Sequence, residues 1–241
     1  MSFRKNIPPG ASVVFPSDDG RLSSPAAEKN AGPLAELVKE FAPERGYALE
    51  IASGTGQHIV KLAVVKPSLN WQPSDIDQVR IASIEAWCDD NSLTNVRPPV
   101  ILDATEIGWS YKFNCQQFIL LVNLIHLISE DEAKIVISEI SGALAPGGRS
   151  IIYGPFKRNN ELTSASDRKF HQSLIEADPQ IGYKNDAWMT AQFKETKLEL
   201  LKVAPMPANN LAFIFEKPRI LESNGPCNTG TWSTNLGTDS K

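Results

Sequence analysis

The stretch Glu50-Ile51-Ala52-Ser53-Gly54-Thr55-Gly56 decides the fold. Upstream, Tyr47–Ala52 (YALEIA) is a short apolar run with strand character. Downstream, Ile59, Leu62 and Ala63 share one helical face until Pro67 stops the helix. Strand, glycine loop and helix in succession form the opening unit of a doubly wound α/β sheet, with ligands at the carboxyl ends of the strands.

The pattern repeats outward from this unit. A helix is expected from near Pro33, with Leu34, Leu37, Val38 and Phe41 at helical spacing, ended by Pro43. After the glycine loop, Asn70–Gln72 reads as a second strand running into Pro73-Ser74-Asp75, with Asp75 placed to cap a helix to about Asp90. Val100–Asp103 is the third strand and the apolar Phe118–Val122 the fourth. Ser129-x-x-Glu132 is a capping box opening a helix with Ala133, Val136, Ile137, Ile140 and Leu144 inward, closed by Pro146-Gly147-Gly148. Arg149–Tyr153 is the fifth strand. Alternation of this kind implies parallel strands, right-handed crossovers and helices on both faces. After a helix with Phe170, Leu174 and Ala177 on one face, Leu198–Val203 and Leu211–Phe215 are joined by seven residues, too few for a crossover, so they form an antiparallel hairpin. Residues 1–24 read as an irregular arm, 25–217 as one folded domain, and the polar, aperiodic 218–241 as a disordered tail.

The loop chemistry separates two ligand classes. A dinucleotide loop needs G-x-G-x-x-G, but Gly54-Thr55-Gly56 is followed by Gln57-His58-Ile59, so the third glycine is missing. Glu50 would also face a pyrophosphate of like charge, at a cost of roughly 4 kcal/mol for unit charges 4 Å apart in a medium of dielectric near 20. S-adenosylmethionine carries an ammonium and a sulfonium, and the same carboxylate then attracts. Asp75, 19 residues after Gly56, can accept hydrogen bonds from both ribose hydroxyls. Asp103, in Leu102-Asp103-Ala104-Thr105, can accept from the adenine amino group. Singly, each acid reads equally well as a cap or loop carboxylate. Three at the ends of successive strands favour a shared pocket.

With these features the chain resembles the class I S-adenosylmethionine-dependent methyltransferases and, more narrowly, the methyltransferase-like protein 26 family. The narrower likeness rests on Pro25–Asn30 (PAAEKN), Glu50–His58 (EIASGTGQH), Trp71–Asp75 (WQPSD), Asn123–His126 (NLIH), Tyr153–Phe156 (YGPF) and Met206–Asn210 (MPANN). It spans residues 25–217. Ala52 stands where the general pattern has its first glycine, and Lys29 where an arginine is expected, which removes a bidentate donor. The resemblance implies a Rossmann-like, seven-stranded, mostly parallel sheet of order 3-2-1-4-5-7-6, strand 7 antiparallel, with helices on both faces. It implies S-adenosylmethionine held by Asn30, Glu50, Ala52, Ser53, Gly54, Gly56, Asp75, Asp103, Ala104 and Asn123. Residues 24–30 can fold over it as a lid; the other reading of this segment is a plain helix start, with Ser24 as N-cap and Pro25 at the first position, and the two are compatible.

Methyl transfer to a nucleophilic atom needs mainly alignment, which can supply roughly 7–11 kcal/mol. A general base helps where the methyl acceptor is protonated. His126, three residues beyond Asn123, and Tyr153, at the end of the fifth strand, are the catalytic candidates. A buried, hydrogen-bonded core histidine is the competing reading of His126. His58 suits packing or cofactor contact, and His171 a solvated helix face. The Asn-Pro-Pro-aromatic motif of amino-directed methyltransferases is absent at Asn123-Leu124-Ile125, so a small-molecule acceptor is expected.

Composition agrees. Over 241 residues, 41% are hydrophobic and 22% charged, a globular balance. The net charge of −4 gives no footprint for nucleic acid or an anionic membrane. The longest apolar stretch, Phe118–Ile128, is too short to span a bilayer, which takes about 20 residues. Pro8-Pro9-Gly10 interrupts any signal-peptide core. Three cysteines, Cys88, Cys115 and Cys227, have no metal-ligand spacing and suit a reducing, cytoplasmic setting. No metal site is expected, and the oligomeric state is left open. Two other readings stay in view. One is a non-catalytic S-adenosylmethionine-binding protein acting through partners. The other is a nicotinamide oxidoreductase, disfavoured because Gly154-Pro155 breaks the helical turn a Tyr153-x-x-x-Lys157 pair would need.

Overall fold

The computed structural model describes residues 13–219; the ends of the expected arm and tail, 1–12 and 220–241, lie outside the described residues. Nine strands and seven helices are described: β1 Phe15–Pro16, β2 Leu22–Ser23, α1 Pro25–Phe41, β3 Gly46–Ile51, α2 Gln57–Val65, β4 Leu69–Asp75, α3 Gln78–Asp90 and β5 Val100–Ile101. Then come α4 Trp109–Lys112, β6 Gln116–Val122, α5 Glu130–Ala143, β7 Leu144–Pro155, α6 Ala165–Ala177, α7 Asp186–Glu195, β8 Glu199–Pro205 and β9 Asn210–Glu216.

The main sheet has seven strands in the order β5-β4-β3-β6-β7-β9-β8. β3, β4, β5, β6 and β7 pair in parallel, while β9 runs antiparallel to both β7 and β8. This is the order expected from the sequence, with only the last strand reversed. The chain order turns back between β3 and β6, which opens the ligand crevice of a doubly wound sheet at their carboxyl ends.

Two cores flank the sheet. One face packs Leu34, Leu37 and Val38 of α1, Ile59 and Leu62 of α2 and Ile84 of α3 over Ala48, Trp71, Leu120 and Tyr153. The other packs Val136, Ile137 and Ile140 of α5 with Met189 and Phe193 of α7 over Leu49, Ile51, Ile119, Leu121 and Phe213. The strict alternation of these two sets along β3 and β6 follows from the two-residue period of a strand. A third, smaller cluster of Leu174, Ile181 and Tyr183, backed by Leu127 and Phe170, lies under α6.

Several local readings change. α1 starts at Pro25 rather than near Pro33, as the plain-helix reading of residues 24–30 has it: Ser24 is the N-cap, Pro25 fills the first position, and Pro33 lies inside the helix. Burial of Leu34, Leu37 and Val38 offsets the hydrogen bond Pro33 cannot make. Residues 13–24, read as irregular, carry the β1–β2 antiparallel pair. The Leu22 carbonyl accepts from the Trp87 indole, which docks this hairpin on α3. α3 is capped by Asp77, whose carboxylate accepts from the Val79 N–H, so Asp75 is released from the capping role first read for it. α5 has both halves of its capping box. It ends at Ala143, and β7 begins before Pro146-Gly147-Gly148 rather than after it. Two helices, α4 and α7, were not anticipated; α7 is anchored by only Met189 and Phe193, too few points for a clear period. Cys88 is a free, half-buried thiol.

Candidate functional site

The loop between β3 and α2 is built on left-handed backbone. Ala52 (φ 53°), Gly54 (φ 62°) and Gly56 (φ 94°) all have positive φ. The two glycines serve different ends. A Cβ on Gly56 would stand 2.9 Å from the Ile84 Cα and 3.3 Å from Trp87, so this glycine lets α3 approach. A Cβ on Gly54 would meet only the Arg80 guanidinium at 3.3 Å and the Ala52 carbonyl at 4.0 Å, so its near side admits a ligand.

Serines lace the loop to β4. Ser53 N–H donates to the Ser74 carbonyl at 2.8 Å, Ser74 N–H donates to the Ser53 Oγ at 3.1 Å, and the Ser74 hydroxyl donates to the Glu50 carbonyl at 2.8 Å. This accounts for the serine of the WQPSD string. Its aspartate comes next: Asp75 Oδ2 accepts from the Gly54 N–H at 2.9 Å and Oδ1 from the Asp77 N–H at 3.1 Å. The structure therefore brings Gly54 and Asp75 together at the crevice. Burial raises the Asp75 pKa, and the two N–H donors oppose that shift.

Glu50 is the anomaly of the site. It is 1% exposed, and neither carboxylate oxygen has a hydrogen-bond partner. Burial pushes its pKa up to about 8; the neighbouring Ser53 side chain opposes the rise and the Asp75 charge adds to it. Buried polar groups are nearly always partnered, and leaving one unmet costs about 1–3 kcal/mol or more. A cationic group reaching Glu50 would remove that cost. Asp103 lies just past β5, where its Oδ1 accepts from the Thr105 N–H at 2.9 Å and the Thr105 hydroxyl at 2.6 Å. The buried Ala104 beside it offers a carbonyl to the Trp109 indole.

The N-terminal segment is fastened to the same loop. Gln57 Oε1 accepts from the Ser24 N–H at 2.6 Å and from the Thr55 hydroxyl at 2.9 Å. The Ser83 hydroxyl donates to the Thr55 carbonyl at 2.7 Å and accepts from the Leu22 N–H at 2.8 Å. His58, buried and with its Nε2 unpartnered, hydrogen-bonds the Ala27 backbone; burial pushes its pKa down to about 4. Asn30 is 6% exposed on the inner side of α1. Gln57 lies in the EIASGTGQH string but its role is not legible there, and nothing in the sequence flags Ser83, since both act by reaching the N-terminal backbone.

The carboxyl ends of β6 and β7 are different in kind. Asn123 takes a left-handed conformation (φ 58°) and its N–H donates to the Tyr153 carbonyl at 2.8 Å. His126 follows in a short 3-10 turn, is 4% exposed, and has an unpartnered Nδ1. Its ring meets Phe170 and Tyr183 edge-on. Burial, helped by the Lys184 charge, pushes its pKa down to about 3. Tyr153 is fully buried; its hydroxyl accepts from the Asn210 side-chain amide at 3.0 Å, and burial pushes its pKa up to about 12. The MPANN turn fastens two elements at once. Asn210 holds Tyr153, and Asn209 donates to Asp167 at 3.0 Å. Burial alone would raise the Asp167 pKa, but hydrogen bonds from Ser164, Thr163, Asn209 and Tyr183 bring it below the usual range. Beyond α6, a cavity of about 440 Å³ is lined by polar groups including Glu130, Lys157, His171 and Lys184. It adjoins neither the glycine loop nor Asp75.

Among the described residues, no cluster of three or more His, Cys, Asp or Glu is placed to hold a metal, and no helix is long and apolar enough to cross a membrane.

The fold and this crevice define a class I methyltransferase architecture. The chain belongs to a family described as a protein of unknown function (DUF938), whose model matches residues 21–217. Among solved structures, it is similar to an O-methyltransferase family protein from Burkholderia thailandensis, with a TM-score of 0.66 and 17% identity over 78% of this chain and 56% of that one. It is also similar to an O-methyltransferase family 2 protein from Planctomyces limnophilus in complex with apigenin, with a TM-score of 0.68 and 14% identity over 80% of this chain and 57% of that one. A third similar structure is PigF with SAH, with a TM-score of 0.64 and 12% identity over 78% and 55% of the two chains. The chain thus spans little more than half the length of these proteins, and the likeness is one of fold.

Proposed function

We propose that the chain is an S-adenosylmethionine-dependent methyltransferase acting on a small-molecule acceptor. The observation that carries this reading is the Glu50–Gly54–Asp75 group: a buried carboxylate with no partner, beside an open glycine and a second carboxylate bonded to that glycine's N–H. The same arrangement would repel a pyrophosphate and suits a ligand with a cationic amino-acid end. The two similar structures of O-methyltransferase family proteins, and the third of PigF with SAH, support it at the level of fold. The narrower likeness to the methyltransferase-like protein 26 family belongs to the same proposal.

In this reading Glu50 takes the ammonium, Asp75 the ribose hydroxyls and Asp103 with Ala104 the adenine edge. Ala52, Ser53, Gly54 and Gly56 let the backbone approach the ligand. Asn30 and Asn123 close over its amino-acid end, with residues 24–30 as the lid that Gln57 and Ser83 hold down. When bound, S-adenosylmethionine supplies an electrophilic methyl group. The chain supplies alignment and a dry crevice. His126, neutral and with a pKa near 3, is a weak base at neutral pH, so we assign it to shaping the acceptor side, where its ring packs on Phe170 and Tyr183. A thermal-shift comparison of S-adenosylmethionine, S-adenosylhomocysteine, NAD and NADP tests the reading. Saturating S-adenosyl ligand at 100 times its Kd should stabilise by about 2.7 kcal/mol. A shift with the nicotinamide cofactors alone would overturn it. A non-catalytic binding protein would give the same shift and no methyl transfer to any small acceptor.

A further inference from the structure

The Tyr153–Asn210 pair contains a hydrogen that goes nowhere within the protein. The Asn210 side-chain nitrogen lies 2.9 Å from the Pro207 carbonyl and 3.0 Å from the Tyr153 hydroxyl. A carbonyl can only accept, so the atom facing it must be the amide nitrogen, which in turn can only donate. The Tyr153 oxygen is therefore an acceptor in this pair, and its own O–H must point elsewhere. Among the described residues, no group accepts that hydrogen, although Tyr153 is fully buried. A buried donor without an acceptor implies a ligand atom. The phenol stays protonated, since burial pushes its pKa up to about 12.

Register shows which ligand atom is in reach. Glu50 pairs with Leu120 of β6, and Val122 of β6 pairs with Tyr153 of β7. Glu50 and Tyr153 therefore fall on the same sheet face, two strands apart, which is a lateral spacing of about 10 Å. Glu50 lies opposite Leu120 and Tyr153 opposite Val122, so the two are also offset by two residues, about 7 Å along the strands: one a carboxylate with no hydrogen-bond partner, the other a hydroxyl with a spare hydrogen. An α-amino acid head has the matching pair, an ammonium beside a carboxylate.

We infer that the Tyr153 hydroxyl donates a hydrogen bond to the carboxylate of the S-adenosylmethionine amino-acid end, with Asn210 as the positioning residue that fixes its polarity. The inference rests on the proposed cofactor and assigns a role to the MPANN turn that the fold alone does not require. The test is calorimetric titration of the full chain with S-adenosylhomocysteine and with 5′-methylthioadenosine, which lacks the amino-acid end. Tyr153→Phe should weaken S-adenosylhomocysteine about ten-fold or more, as expected for a hydrogen bond to a charged group, and leave methylthioadenosine unchanged. Asn210→Leu should give a smaller loss confined to the same ligand, and no further loss when added to Tyr153→Phe. Equal binding of S-adenosylhomocysteine by wild type and Tyr153→Phe overturns the inference. So does an equal loss for both ligands, which would mark a merely structural tyrosine. A wild-type chain that binds neither ligand refutes the cofactor proposal itself, an outcome distinct from these two.

Discussion

The two halves of the crevice are built by opposite rules. At the ends of β3, β4 and β5 the backbone binds and short polar side chains hold it: Ser53, Ser74 and Asp75 fix the glycine loop through main-chain hydrogen bonds. At the ends of β6 and β7 large side chains are packed by an inserted segment, residues 156–185, through Phe170, Tyr183, Asp167 and the MPANN turn. The first half suits an invariant ligand.

This contrast can be broken by mutation. The largest stability loss is expected from Gly56→Ala, where a positive φ combines with a 2.9 Å approach to Ile84. Strain of this kind costs about 1–3 kcal/mol before any clash, measurable by urea unfolding. Gly54→Ala, whose Cβ would press only on the end of the flexible Arg80 side chain at 3.3 Å, should cost less stability and more S-adenosylhomocysteine affinity. If the two variants behave alike, the division of labour between these glycines is wrong.

Asp75→Ala should weaken S-adenosyl ligands by a factor of about 10 to 100, the loss expected for hydrogen bonds to a charged group, with the fold retained. On the other half, Asp167→Ala removes an acceptor of four hydrogen bonds and should destabilise by about 1–3 kcal/mol. Hydrogen exchange should then rise across α6 and the β8–β9 turn while the β3–β4 half stays protected. Loss of protection in both halves would contradict their independence.

Acid and alkali should probe different buried groups, with the smallest effects. His58 and His126 are held neutral by burial, with pKa values near 4 and 3 against the ordinary 6.5. Their contribution is present above pH 6.5 and is lost as pH falls toward these values. Glu50 has the opposite sign: raised from 4.5 to about 8, its contribution is full below pH 4.5 and is lost as pH rises through 8. His126→Asn should therefore flatten the acid arm of the stability profile and Glu50→Gln the alkaline arm. Unchanged profiles would remove these groups from the account.

The same contrast explains what was legible in the sequence. The parallel strands and the closing hairpin followed from the alternation of apolar runs and turns, whereas the order of the sheet came only with the family resemblance. The carboxylates at Glu50 and Asp75 followed from their distance to the glycines, because a backbone-built site leaves its spacing in the chain. The β6–β7 side left no such trace. Asp167, Asn209 and Asn210 act on residues 16 to 57 positions away, and α7 carries only two buried anchors. Nothing local distinguishes Asn209, bonded to the insertion, from Asn210, bonded to the sheet.

The central claim is that Glu50, Gly54, Asp75 and Asp103 surround one adenosyl ligand. A crystal structure of the chain with S-adenosylhomocysteine tests it most directly. The account predicts the ribose against Asp75, the adenine edge at Asp103 and the ammonium within hydrogen-bond distance of Glu50. Density for the ligand in the cavity beyond α6, or an adenosyl group lying away from Asp75, would contradict it.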